Sequence, residues 1–337
     1  MKRLTSLLML ALTFVIFGCS STDTGSKYDT SLYQGRPIDT LTQDPPPQSE
    51  VEAIQRGDAA LNAGNIDLAL YEYIRSLSFD DLAYKDQTLY TIGKIHLSRG
   101  NNDLAERALN MSINANPNNS KSLEQLGMFY ASTGRVSESE SFFLRAVNAD
   151  QLRFSSQHTI QREDVSIGLI ESLNTDRTSP GYAYMGLGVL SDVDNEYDIA
   201  RAFYDKAGSI LPFENKVLLN MGYSYYMSGD YTKASTFTQR ALNREPDSEK
   251  AQNNMALIYL AQGYENRALN MFSRHLERPE ALNNVGYFLM LKGKPERAIP
   301  YFQQAIDAKP SYYKLANENL DRALSEVRNK EIIITNN

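Results

Sequence analysis

Residues 279–310 read PEALNNVGYFLMLKGKPERAIPYFQQAIDAKP, and this stretch decides the fold. Apolar and small residues recur every three or four positions on both sides of Gly293, which predicts two amphipathic helices joined by a tight turn. Gly286 leaves room for the second helix to approach the first, and Gly293 can take the left-handed conformation that ends a helix. Ala298 lets the second helix lie close, Phe302 fills the space beside it, and Pro310 cannot continue it.

The same punctuation returns six times toward the amino terminus. It is carried by Ala256, Gly263 and Ala268; by Gly222, Gly229 and Ala234; and by Gly188, Asn195 and Ala200. Further back stand Gly127, Gly134 and Ser139, then Gly93, Gly100 and Ala105, then Gly57, Gly64 and Ala69. The bulky residue recurs as Phe272, Tyr204, Phe143, Leu109 and Tyr73, with Thr238 the exception, and Pro117, Pro212 and Pro246 close units as Pro310 does. A period near 34 residues, with small residues at positions 8 and 20, a turn residue at 15 and a large one at 24, resembles the tetratricopeptide repeat (TPR). The resemblance implies an all-α superhelical solenoid of helix-turn-helix repeats, units one to three over 50–153 and units four to seven over 181–312.

The period breaks in informative places. Units one and two are separated by two extra residues, and unit six lacks about four after His275, which predicts a short second helix or turn there. Residues 154–180 form an insertion with a candidate helix at Asp164–Leu173; it either joins two subarrays or packs over the solenoid. A capping helix is expected over 313–330, with Leu315, Leu320, Leu324 and Val327 facing the core, and the tail 331–337 either packs on it or frays.

The amino terminus reads as an address. Met1-Lys2-Arg3 precedes an apolar run from Leu7 to Phe17, too short for a hydrocarbon core that needs roughly 20 residues. It ends Ile16-Phe17-Gly18-Cys19, which resembles the lipobox of bacterial lipoproteins, although Phe17 stands where a small residue is usual. The resemblance implies a signal peptide over 1–18, lipidation at Cys19 and, with Ser20 rather than aspartate next, the outer membrane facing the periplasm. Two or three acyl chains hold a protein to a membrane where one does not. An ordinary cleaved signal or an uncleaved anchor is the plainer alternative. Residues 19–49, polar and with the run Pro45-Pro46-Pro47, are expected to form a disordered tether.

Composition removes several classes of function. A net charge of −7 without a long basic run argues against nucleic acid, whose binding draws on phosphate neutralisation by Lys and Arg. With one cysteine there is no intramolecular disulfide and no cysteine-based zinc site. His96, His158 and His275 are far apart, and no phosphate loop, dinucleotide fingerprint or nucleophile elbow is present. No catalytic residue, metal or cofactor is therefore expected, and His96 and His275 read as packing residues.

Function is expected on the first helix of each repeat, whose positions 2, 5, 6, 9, 12 and 13 line the concave wall of a TPR array. Position 6 holds Asn220, Asn254 and Asn284 in the last three units, and position 5 adds Asn253 and Asn283. Position 9 holds Tyr223, Leu257 and Tyr287, and position 12 holds Tyr226, Leu260 and Met290. The pattern resembles the asparagine ladder with which TPR proteins hold extended peptides, since one amide offers a donor and an acceptor to a peptide unit. Tyr and Met would supply adaptable apolar pockets. Alternatively the asparagines bond only within the array. Earlier units carry Gln55, Thr91 and Gln125 at position 6.

The starts Asn253-Asn254-Met255-Ala256 and Asn283-Asn284-Val285-Gly286, with the lipobox, resemble TadD-type lipoproteins of tight-adherence (Flp) pilus systems. That implies a non-catalytic assembly or pilotin-like adaptor whose partners are proteins or extended peptides, pilus or secretin components among them. The alternative is an NlpI-like adaptor for cell-envelope hydrolases and proteases.

Overall fold

The computed structural model describes residues 29–80, 82–155, 159–309 and 311–335, in two compact units, residues 1–83 and 84–337. The leader 1–18, Cys19, His158 and Pro310 lie outside the described residues. Every regular element among those described is helical. None of these helices is long and apolar enough to cross a membrane.

The first unit holds one hairpin, α1 (Glu50–Asn62) and α2 (Ile66–Ser76). Ser49 caps α1 by accepting from the Glu52 amide. The segment before it corrects the tether expected over 19–49, at least for residues 29–49. Leu32 and Leu41 are buried, Tyr33 packs edge-on against Tyr71, and Arg36 pairs with Asp67 at 3.1 Å. Arg56 donates to the Pro45 carbonyl, and the Gln48 amide donates to Glu52. A few large side chains with partners on α1 and α2 suffice to order a segment whose average composition is polar.

The second unit stacks hairpins in chain order: α3 (Lys85–Ser98) with α4 (Asn102–Ala115), then α5 (Ser120–Ser132) with α6 (Val136–Arg153). After the short α7 (Ile167–Ser172) come α8 (Gly181–Val193) with α9 (Tyr197–Ile210), and α10 (Asn215–Met227) with α11 (Tyr231–Arg244). The array ends with α12 (Glu249–Gln262) and α13 (Glu265–Phe272), α14 (Arg278–Leu291) and α15 (Pro295–Asp307), and the terminal α16 (Lys314–Thr335). It is an all-α solenoid of helical repeats.

The repeat residues do what their spacing requires. A Cβ on Gly286 would lie 2.6 Å from the Phe302 ring, and one on Gly57 would lie 2.7 Å from Tyr73, so positions 8 and 24 are in contact within each hairpin. In the fifth unit the large side chain is displaced by one residue. Thr238 lies against Gly222, and Phe237 stacks on Tyr225 with ring centres 5.4 Å apart. The turn residue is left-handed in all seven hairpins, and Asn195 (φ 63°) takes that conformation where glycine is absent. All seven position-20 residues, from Ala69 to Ala298, are fully buried.

The insertion packs over the solenoid and does not separate two subarrays. Asn148 of α6 both donates to and accepts from the backbone of Ile160, and Gln151 does the same with Asn174. Lys206 of α9 donates to the carbonyls of Glu171 and Leu173, while Arg162 meets Glu140, Asp194 and Glu196. Beneath it α8 packs directly on α5 and α6, and one hydrophobic cluster runs from Leu109 to Met221. The candidate helix over 164–173 is confined to α7, preceded by a turn of 3-10 helix at Arg162–Asp164.

The short sixth unit also has a physical form. Helix α13 has 8 residues, and the chain then turns to place the His275 ring 2.8 Å from the Gln252 side chain. Gln252 in turn donates to the Pro246 carbonyl, so a polar clasp stands in for the missing turn of helix.

The capping helix corrects the expected face in part. Ala316 and Ala323 are buried and Leu320 and Val327 are half-buried, whereas Leu315 and Leu324 are exposed. Small residues let α16 lie close to α14 and α15, and leucines would hold it away. The helix runs on through Thr335.

Candidate functional site

The first helices of units five and six build a concavity of about 420 Å³ lined by Lys216, Leu219, Asn220, Tyr223, Lys250, Asn253 and Asn254. Residues 216, 220, 223 and 227 are spaced by three and four, so they share one face of α10; 250, 254 and 257 do the same on α12. Buried Leu218 and Leu219 belong to the same hydrophobic cluster as Met255 and Ala256 and set the two helices side by side. Four of the expected groove residues, Asn220, Tyr223, Asn253 and Asn254, are thus brought together.

Their chemistry is open. Asn220, Asn254 and Asn284 are half-buried, and among the described residues their amides form no intramolecular hydrogen bond. Thr91, at the same position of α3, instead donates its hydroxyl to the Gln87 carbonyl of its own helix. At that position of α8, Gly186 faces the Phe143 ring so closely that a Cβ would collide with it. The asparagine row is therefore confined to the last three units, while Gln55 and Gln125 carry a longer amide at that position of units one and three.

Other expected groove residues are placed elsewhere. Asn283 is buried, and its side-chain oxygen accepts from Asn319 of α16 at 2.9 Å, so it joins the cap to the array. Leu260 and Met290 are buried within the hydrophobic cluster, because position 12 turns toward the neighbouring hairpin. Leu257 is half-buried, while Tyr287 is exposed beside Phe288. Tyr226 is half-buried between Tyr223 and Tyr231, and the Lys292 ammonium lies 5.7 Å from the Tyr226 and Tyr231 ring centres. Burial lowers the Lys292 pKa and raises that of Tyr226.

Three features escaped the sequence reading. Lys216 and Lys250 stand at position 2 of successive repeats, and neither ammonium forms an ion pair among the described residues. Their signal was available from that spacing. Exposed apolar side chains at position 13, Val193, Met227 and Leu291, extend the wall. Glu124 of α5 accepts the backbone amides of Tyr182 and Ala183 at the start of α8, a bond between elements 58 residues apart that no local pattern announces. Burial pushes its carboxyl up to about 7 against the opposing effect of those two amides. No group of His, Cys, Asp and Glu that could hold a metal ion occurs among the described residues.

Three stretches, 90–153, 216–248 and 279–312, match tetratricopeptide repeat family models. The chain thus carries tetratricopeptide repeats. It is similar to the anaphase-promoting complex subunit CDC16 of Saccharomyces cerevisiae, 22% identical over 202 residues, covering 54% of this chain and 24% of that one. The chain thus spans about a quarter of that relative's length. Among solved structures, a tetratricopeptide repeat protein from Parabacteroides merdae superposes with a TM-score of 0.51 at 15% identity, covering 82% of this chain and all of the other. PilW, described as a widely conserved type IV pilus biogenesis factor, gives a TM-score of 0.49 at 14% identity, covering 71% of this chain and 98% of its own.

Proposed function

We propose that this chain is a non-catalytic scaffold that holds an extended segment of a partner protein across α10, α12 and α14. In this reading it is anchored through lipid on Cys19 at the outer membrane, faces the periplasm, and acts as an assembly adaptor of a pilus or secretion machine. Tetratricopeptide repeats generally serve as scaffolds that bind proteins or peptides, and their stacked first helices offer an extended surface for doing so. The observation that carries the binding site is the row of amides at Asn220, Asn254 and Asn284 without partners in the fold. A half-buried amide lacking a protein partner is satisfied by water or by a ligand, and a peptide backbone supplies both the donor and the acceptor it needs. The envelope location rests on the Ile16-Phe17-Gly18-Cys19 motif.

A photo-crosslinking side chain placed at Tyr223 of the full chain in intact cells tests both parts. Pilin, secretin or secretion-machine components among the captured proteins are expected. Peptidoglycan hydrolases and envelope proteases, without pilus proteins, would instead establish an envelope-enzyme adaptor. Cys19→Ala is expected to release the protein from the membrane fraction.

A further inference from the structure

Each first helix presents its positions 2, 6, 9 and 13 as one stripe, because these residues are four, three and four apart. Laid side by side, the helices of the last units turn those stripes into rows. Lys216 and Lys250 form a basic row, and the unpartnered asparagines form an amide row. Tyr223, Met227, Tyr287 and Leu291, all at least 39% exposed, form an apolar edge. In a chain of net charge −7, Lys216 and Lys250 stand on one concavity without acidic partners, while the same position of α14 is Glu280, already paired with Lys309.

We infer that this surface selects an extended segment in which acidic residues alternate with large apolar ones, the acids lying over Lys216 and Lys250. The inference rests on the reading that the face binds a polypeptide, and adds which polypeptide. Successive side chains of an extended strand point to opposite sides. A segment laid along the amide row therefore turns every second residue toward the lysines and the intervening ones toward Tyr223 and Met227. Acids two residues apart are roughly 6.6 Å apart along a strand. Neighbouring helices pack at roughly 8–10 Å, a difference the flexible lysine stems can span. A basic segment would place like charges together on the same face, so the lysines exclude as well as attract.

The test is selection of a randomised decapeptide library on the full chain, followed by anisotropy titration of the best peptide. Selected peptides are expected to carry Asp or Glu alternating with Tyr, Leu or Met. Lys216→Gln with Lys250→Gln, which keeps long side chains, should erase that acidic preference. It should also weaken the best peptide by about five- to tenfold, as two exposed ion pairs would. Raising the salt should shrink the difference between wild type and variant. Circular dichroism of the variant should match the wild type. Lys216→Glu with Lys250→Glu should turn the preference toward Lys and Arg. Apolar peptides enriched without acids would overturn this selectivity and leave the peptide-binding face standing. No enrichment of any peptide would overturn both. Self-association of the wild type that the double glutamate variant abolishes would make a second copy the occupant and overturn the inference.

Discussion

Helices α3 and α12 occupy the same place in two repeats of the same design, yet they treat repeat position 6 in opposite ways. On α3, Thr91 turns its hydroxyl back to the carbonyl of Gln87 and offers no free amide. On α12, Asn254 keeps both halves of its amide free beside Asn253 and Lys250 at an open concavity. The residues that build the two hairpins are nevertheless interchangeable in role. Gly93 is set against Leu109, Ala256 and Phe272 are buried in one hydrophobic cluster, and Gly100 and Gly263 both take the left-handed turn. The repeat scaffold is thus uniform while its exposed face is not, and the proposed binding face is where side chains are left without internal partners. Helix α8 gives up its position 6 altogether, since Gly186 is pressed on Phe143 to join units three and four.

Changes to the uniform part should have the largest effects and should not distinguish the two regions. Ala268, fully buried, marks the close approach of α13 to α12. Ala268→Arg forces a charge into that contact and is expected to cost more than about 4 kcal/mol, enough to abolish a cooperative melt by circular dichroism. Phe143→Ala, which empties the space shared by Gly127 and Gly186, should cost about 3–5 kcal/mol. If units three and four were independent, the Phe143 variant would show two separate transitions; a single lowered transition is expected from the continuous cluster across them.

A smaller effect belongs to the junction under the insertion. The Glu124 carboxyl, raised to about 7 from an ordinary value of 4.5, binds its proton more tightly folded than unfolded. Stability from this group is therefore greatest below pH 4.5 and is lost as pH rises through about 7. Glu124→Gln retains an oxygen for the Tyr182 and Ala183 amides without titrating. Wild type should lose about 2.5 kcal/mol relative to this variant between pH 5 and pH 8, measured by urea denaturation. Parallel stability curves across that range would show that Glu124 does not titrate as its surroundings require.

Much of this was legible from residues alone, because the scaffold is written in local, periodic signals. The positions that set each hairpin lie within 16 residues of one another, and a small residue opposite a large one has few other meanings. Apart from the lysines at position 2, what the local pattern missed depends on distant neighbours. Asn283 reads like Asn254 in sequence, but α16 arrives 36 residues later and takes its amide through Asn319. Leu260 and Met290 share a helix face with exposed residues, and only the packing of the next hairpin shows them to be buried. Residues 29–49 are polar on average, and their order comes from a few contacts such as Tyr33 on Tyr71 that composition does not weigh. The insertion could be placed only once Asn148 and Gln151 were seen holding its backbone.

The smallest expected change in stability carries the most information about function. Asn220 and Asn254 contribute no internal hydrogen bond, so replacing both with alanine should move the unfolding free energy by less than about 0.5 kcal/mol. The same double variant should weaken a selected extended peptide by about tenfold or more, since a peptide unit bonded twice to each amide would lose those bonds. Thr91→Ala on α3 is the matched control, altering the same repeat position where the hydroxyl is already engaged. It should leave peptide affinity unchanged. If the asparagine variant bound as well as wild type, the free amides would be solvated surface, and the difference between α3 and α12 would have no bearing on recognition. If instead both variants lost affinity alike, the ligand would extend onto α3, and the site would not be confined to the last three units.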